Sequence, residues 1–267
     1  MVFRSKLKAI IWIHTLRLGR YKYGILNMIL VDLLWYLVFL LGALMFVPKE
    51  RFTMMSLVTF WGIIQWSMMN NVVWLIAGWT WFVLATGLAE EHIIHHVNPL
   101  LFISGRLITG STVSLIAIPL IMIIFVGVIG KSIFICHNPL FLIAGLLLVL
   151  LYATLYGLTL AALGLRLQVP GVMLDIINIF MYIIGGLGVP VALMPPMLRE
   201  LSLLLPYTHA AELTRYGVLG LEPYLGLQTE ITISVTYLAA LLLLTILIVK
   251  KVTKYVRIHG VRAVGLM

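Results

Sequence analysis

The sequence predicts an all-α polytopic membrane protein, with six transmembrane helices, an N-terminal interfacial helix and a re-entrant helical hairpin before the last span. Three observations carry this. Of the 267 residues, 63% are hydrophobic and 10% charged, whereas an ordinary soluble domain carries roughly 25% charged residues. With a mean hydropathy of +1.14, the chain cannot cover its surface with polar groups and must be solvated by lipid. Six apolar runs, at 25–47, 54–84, 107–129, 139–165, 171–194 and 231–249, approach or exceed the roughly 20 helical residues that cross a core about 30 Å thick. Most of the basic residues sit at the two ends of the chain.

Residues 1–22 are expected to form a cytoplasmic interfacial helix. Phe3, Leu7, Ile10, Ile11, His14 and Leu18 share one helical face, with Arg4, Lys8 and Arg20 off it; the plainer reading is a basic membrane flank. Span one is helical because lipid offers no partner for a stray backbone N–H or C=O. It is too long and too late in the chain for a cleavable signal peptide. Asp32 lies about two turns inside it. A lone carboxylate there costs on the order of 3 kcal/mol and should face protein or water, with Asn27, Gln65, Asn70 and Asn71 as possible neighbours. The readings for Asp32, Gln65, Asn70 and Asn71 are a polar lining of a translocation path or an interhelical hydrogen bond.

Span two is longer than a perpendicular crossing needs, so it tilts or continues into the cytoplasm. Trp61, Trp66, Trp74, Trp79 and Trp81 punctuate it. Between spans three and four, Gly130-Lys131-Ser132 imitates a phosphate-binding loop, but Phe125 stands where the first glycine is required. Span five carries Asp175 one turn in, where the helix dipole favours a carboxylate. Gly185, Gly186, Gly188 and Pro190 near its far end favour a kink or break. Residues 195–228 contain two apolar pieces bounded by Pro195-Pro196, Pro206 and Glu222-Pro223. Pieces of about 10 residues are too short to cross and are expected to be re-entrant or interfacial on the outer side.

Placing both termini in the cytoplasm puts 13 of the 18 basic residues inside, the bias a multi-pass cell-membrane protein shows. The basic ends meet anionic headgroups, so the net charge of +9 requires no nucleic acid. Cys136 is the single cysteine, which excludes an internal disulfide and a thiolate metal cluster. No loop is long enough for a soluble enzyme domain.

Two clusters could carry chemistry. Glu90, Glu91, His92, His95 and His96 lie between spans two and three on the cytoplasmic face. A short helix there could transmit movement from an ATPase, its acidic pair meeting basic partners. Alternatively, His92 and His96 have the i, i+4 spacing of a zinc-binding helix, with Glu91 nearby, or the segment is a solvated turn. In the outer hairpin, His209, Glu212 and Arg215 recur at spacings of three after Pro206, sharing a helix face with a local Glu212–Arg215 ion pair. That face reads as a cap closing the outer end of a path, or as a proton relay or gate.

The segment Leu205-Pro206-Tyr207-Thr208-His209-Ala210-Ala211-Glu212-Leu213-Thr214-Arg215, the approach to span one at 17–33, and Ala89-Glu90-Glu91-His92 followed by Asn98-Pro99 and Gly105-Arg106 resemble the ABC-2 type permease family. The loop departs from many members, which carry a glutamate–arginine pair and a glycine–threonine step where this chain reads Glu91-His92 and then Ile93 to Val97. The resemblance implies a transport subunit, not an enzyme, of an exporter driven by two separate cytoplasmic ATPase subunits. ATP and magnesium would be bound there and no cofactor on this chain, and a second permease copy would complete a homodimer. It implies that Arg17, Arg20 and Tyr21 belong to the interfacial helix, that 85–99 holds the coupling helix, and that an apolar, aromatic path suits an amphiphilic drug, lipid or lipid-linked cargo. Two other classes stay open: a metal-dependent intramembrane enzyme using His92 and His96, and an ion-coupled carrier using Asp32.

Overall fold

The computed structural model describes residues 2–46, 52–129, 135–167 and 171–259. Residues 47–51, the Gly130-Lys131-Ser132 tripeptide and the side chain of Asp32 lie outside what is described. The described chain is helical nearly throughout: α1 (Val2–Arg20), α2 (Lys22–Phe46), α3 (Phe52–Val73), α4 (Trp79–Ala85), α5 (Leu88–Ile94), α6 (Pro99–Ser104), α7 (Arg106–Ile129), α8 (Pro139–Leu167), α9 (Gly171–Ile183), α10 (Pro196–Leu203), α11 (Pro206–Leu219) and α12 (Leu227–His259).

Four helical stretches among the described residues are long and apolar enough to cross a membrane: Met54–Ala85, Leu100–Gly127, Pro139–Arg166 and Leu227–Val256. Helices α1 and α2 are bent by 77° at their junction, and counting that pair as one broken span gives a fifth. The helix in the expected fifth run is shorter than the run itself. It has 13 residues, about 20 Å at 1.5 Å per residue. The glycine cluster then takes over. Gly186 has φ +69°, which a residue with a Cβ adopts only at a cost, and a 3₁₀ turn follows at Val191–Leu193.

The expected second run is continuous but not uniformly α-helical. Trp74–Gly78 is a π-helical turn joining α3 to α4. The Trp74 ring lies against Gly78, where a Cβ would sit 2.3 Å from a ring carbon, and its Nε1–H donates to Asp175 Oδ1 on α9 at 2.8 Å. The widened turn, a common device where a helix must make room, thus ties the expected second run to α9.

Helices α8 and α11 form the centre. From Tyr207 to Val218, α11 is buried apart from Tyr216, and α8 packs against α11, α12 and α3. Lipid tails are as apolar as leucine, so helices in a membrane gain little from hydrophobicity alone and associate through close packing. Here glycines supply it: a Cβ on Gly217 would meet the Leu142 backbone nitrogen at 2.3 Å, and one on Gly145 the Thr214 hydroxyl at 2.2 Å. By contrast α12 leaves Val235, Leu242, Leu243 and Leu247 exposed, an apolar face suited to lipid.

Candidate functional site

One end of the bundle collects α1, the α5–α6 hairpin, the start of α7 and the C-terminal ends of α8 and α12. Ile93, His96, Val97 and Asn98 line a cavity with Leu165, Thr253 and Val256. The hairpin is built by local capping. Gly87, at φ +71°, opens α5. After Ile94 the chain closes a Schellman motif: Val97 N–H donates to His92 O at 2.7 Å and His96 N–H to Ile93 O at 3.0 Å, with His96 in the left-handed position at φ 56°. Asn98 then caps α6, its Oδ1 accepting from Leu100 N–H at 2.9 Å, with Pro99 at the first helical position.

This geometry separates the sequence candidates. Glu90 and Glu91 lie exposed in the first turn of α5, and Ile94 is 72% exposed one turn on. His95 and His96 are exposed too. His92 turns the other way and packs its ring on Phe102, centroids 4.4 Å apart. Burial pushes its pKa below the ordinary value, opposed by the neighbouring Glu91 carboxylate. Because α5 ends before His96, His92 and His96 do not share a helix face, and the i, i+4 premise of the zinc reading is not met. Among the described residues no three His, Cys, Asp or Glu side chains are grouped as a metal ion would need.

Helix α1 is docked onto this hairpin. His14 and Ile10 are buried against Gly105, where a Cβ would lie 2.3 Å from the His14 ring and 2.6 Å from the Ile10 side chain. His14 Nε2–H donates to Phe102 O at 3.0 Å, Lys6 Nζ donates to His96 O at 2.9 Å, and the Arg17 guanidinium lies 5.6 Å over the Phe102 ring. Arg20 and Tyr21 are exposed at the bend into α2. Helix α1 and the hairpin are therefore one packed unit, a juxtaposition that residues 88 apart do not announce.

Burial lowers the His14 pKa from 6.5 to about 4. The unfolded or undocked chain therefore binds the extra proton between those values, so the contribution of neutral, buried His14 to docking is fully present above pH 6.5 and is lost as pH falls toward 4, by at most about 1.4 kcal/mol per pH unit. Hydrogen exchange of the α1 amides, corrected for intrinsic rate, is expected to be faster at pH 5 than at pH 7. His14→Gln, which keeps an N–H donor without a titrating ring, should remove most of that pH dependence. Unchanged protection in the native protein would refute the docking role.

At the other end of the bundle, α11 presents the second cluster, anchored by Pro206 at its first position. The Glu212–Arg215 pair forms as the spacing predicts, Nη1 to Oε1 at 2.7 Å, and both side chains are buried. His209 does not join it. Its Nδ1 meets Glu230 Oε2 on α12 at 2.5 Å and its Nε2 lies 3.1 Å from Leu203 O. Glu230, fully buried, was missed by sequence reasoning; its signal was a lone carboxylate at the head of the last apolar run.

The mid-bundle candidates are dispersed. Gln65 and Asn71 are buried on α3, with Asn71 Nδ2 donating to Ser67 Oγ at 3.2 Å. Asn70 Oδ1 accepts from Asn178 Nδ2 of α9 at 2.8 Å. Asp32 lies on α2 with its side chain outside what is described.

A family model described as ABC-2 type transporter matches residues 5–219, from α1 through the end of α11. No curated protein matches the chain.

Proposed function

Because this chain belongs to the ABC-2 type transporter family, a family of membrane permease components, we propose that it is the permease subunit of an ATP-driven exporter. Six spans in the cell membrane, with both termini cytoplasmic and the α10–α11 segment re-entrant from the outer side, are the topology of this proposal. Two copies would face each other above two separate ATPase subunits, which bind the ATP and magnesium. An amphiphilic drug, lipid or lipid-linked molecule is the proposed cargo.

One observation carries this reading: α1 and the α5–α6 hairpin are packed as a unit, with Glu90, Glu91 and Ile94 turned outward together. An acidic pair flanking an exposed apolar side chain suits docking onto a protein surface. Its rigid attachment to α3–α4 and α7 would carry an ATPase stroke into the spans. His95 and His96 border the same surface, and the Glu212–Arg215 and His209–Glu230 pairs would hold the outer end shut.

The test is reconstitution with an ABC ATPase that co-purifies with this chain. Charge reversal by Glu90→Lys with Glu91→Lys is expected to lower ATPase binding at least about tenfold while leaving the permease folded, in keeping with charge-pair couplings of roughly 1.5 kcal/mol or more at protein interfaces. Failure to recover any ATPase, or cargo movement by this chain alone in liposomes, would overturn the proposal.

A further inference from the structure

A cavity of about 600 Å³ opens where α1 bends into α2, walled by α3–α4 and α7. Its lining is mostly apolar, with Ile25 and Met28 from α2 and Leu75 and Phe82 from the second run, yet two arginines also line it. Arg106 is only 7% exposed. Its guanidinium stacks 3.5 Å over the Trp79 ring, and its Nε is buried without a hydrogen-bond partner. Arg17 enters from α1 with a buried, unpartnered Nη1, and Thr109 Oγ1, also on the lining, is buried and unpartnered.

Among the described residues, no carboxylate lies within ion-pair distance of either arginine. Arg215 shows what this fold does with a buried guanidinium that is complete in itself: a carboxylate and backbone carbonyls meet it. Buried charge is costly unless paired and hydrogen-bonded, and two guanidiniums at one cavity add mutual repulsion. Their planar forks match the oxygens of a phosphate. The aromatic face beneath Arg106 fixes one fork, while the apolar wall requires that whatever brings the anion also brings hydrocarbon.

The geometry points to a binding site for an anionic amphiphile, its phosphate-type headgroup held by Arg17, Arg106 and Thr109 and its chain lying along Ile25, Met28, Leu75 and Phe82. The headgroup could come from a bilayer phospholipid or from a transported molecule; the recognition chemistry is the same. The site is formed by this chain alone, so it holds or fails independently of the ATPase partnership proposed above. It deepens that reading by naming the charge and shape of the ligand at the elbow between the interfacial helix and the first span.

Native mass spectrometry of the full chain in neutral detergent tests it, titrated separately with phosphatidylglycerol, phosphatidylcholine and inorganic phosphate. Phosphatidylglycerol is expected to bind at least tenfold more tightly than phosphatidylcholine. Arg17→Gln and Arg106→Gln are each expected to reduce that preference several-fold, Arg17→Lys to restore part of it, and Lys8→Gln, on the exposed side of α1, to leave it intact. Should Arg106→Gln fail to fold, Thr109→Val with Arg17→Gln carries the same test. Equal binding of the two lipids, or a preference surviving loss of both arginines, overturns the site. Inorganic phosphate binding as tightly as the lipid overturns the amphiphile and leaves a simple anion site.

Discussion

Arg215→Ala is expected to destabilise the protein by about 3–5 kcal/mol, the loss that follows when one partner of a buried ion pair is removed. Glu212 and Arg215 are 6% and 5% exposed, so neither can turn to water. Arg215 Nη2 also donates to the carbonyls of Gly186 and Leu187, the latter at 3.0 Å. Glu212 in turn accepts from the backbone N–H of Val191 at 3.4 Å and of Tyr224 at 3.3 Å. The pair thus fastens α11 to the broken end of the fifth run and to the loop before α12. Unfolding of the purified protein in mixed detergent, followed by circular dichroism, measures the loss. Arg215→Leu combined with Glu212→Gln should cost less than the two single changes added together, because the double variant strands no charge. Strict additivity would mean that the pair contributes no coupling.

Gly217→Ala is the second large effect. Its Cβ would meet the Leu142 nitrogen at 2.3 Å, the Leu142 Cα at 2.7 Å and the Phe141 carbonyl carbon at 2.9 Å. All three are backbone atoms, so no side chain can rotate away and α8 must separate from α11. Overpacking of this kind costs about 1–3 kcal/mol or more, and it falls on the central helix pair. The fitting control is Gly164→Ala, where the nearest atoms belong to Thr80 at 3.6 Å or beyond. That change should be neutral or slightly stabilising, since alanine is the better helix former by roughly 1 kcal/mol. Thermal aggregation midpoints of the two variants decide the matter; equal behaviour would refute the close-packing argument.

The glycine cluster at 185–188 and the Pro195-Pro196 and Pro206 boundaries all break or start helices where the sequence expects them. The glycines act through the φ they can adopt and the prolines through a fixed φ and a missing N–H, independent of partners. The Glu212–Arg215 pair was visible for the same reason, since both ends lie on one helix three residues apart. Where a helix ends early, spacing misleads: His92 and His96 looked like a facing pair until the Schellman motif at His96 took the second histidine off the helix. Asn70 was named as a polar candidate, but nothing local pointed to Asn178 as its partner, 108 positions away.

Composition and order of residues alone thus determined that this chain is helical, lipid-solvated and punctuated at particular glycines and prolines. Lipid denies the backbone any partner but itself, so helix formation is decided within each segment. Only the tertiary structure decided which polar side chains meet: His209 with Glu230, His14 with the Phe102 carbonyl, Arg17 beside Arg106 around one cavity. Those meetings depend on how each helix is rotated about its axis and how closely its small residues let a neighbour approach. A helical period places a residue on a face, but the packing of every other helix chooses what that face touches.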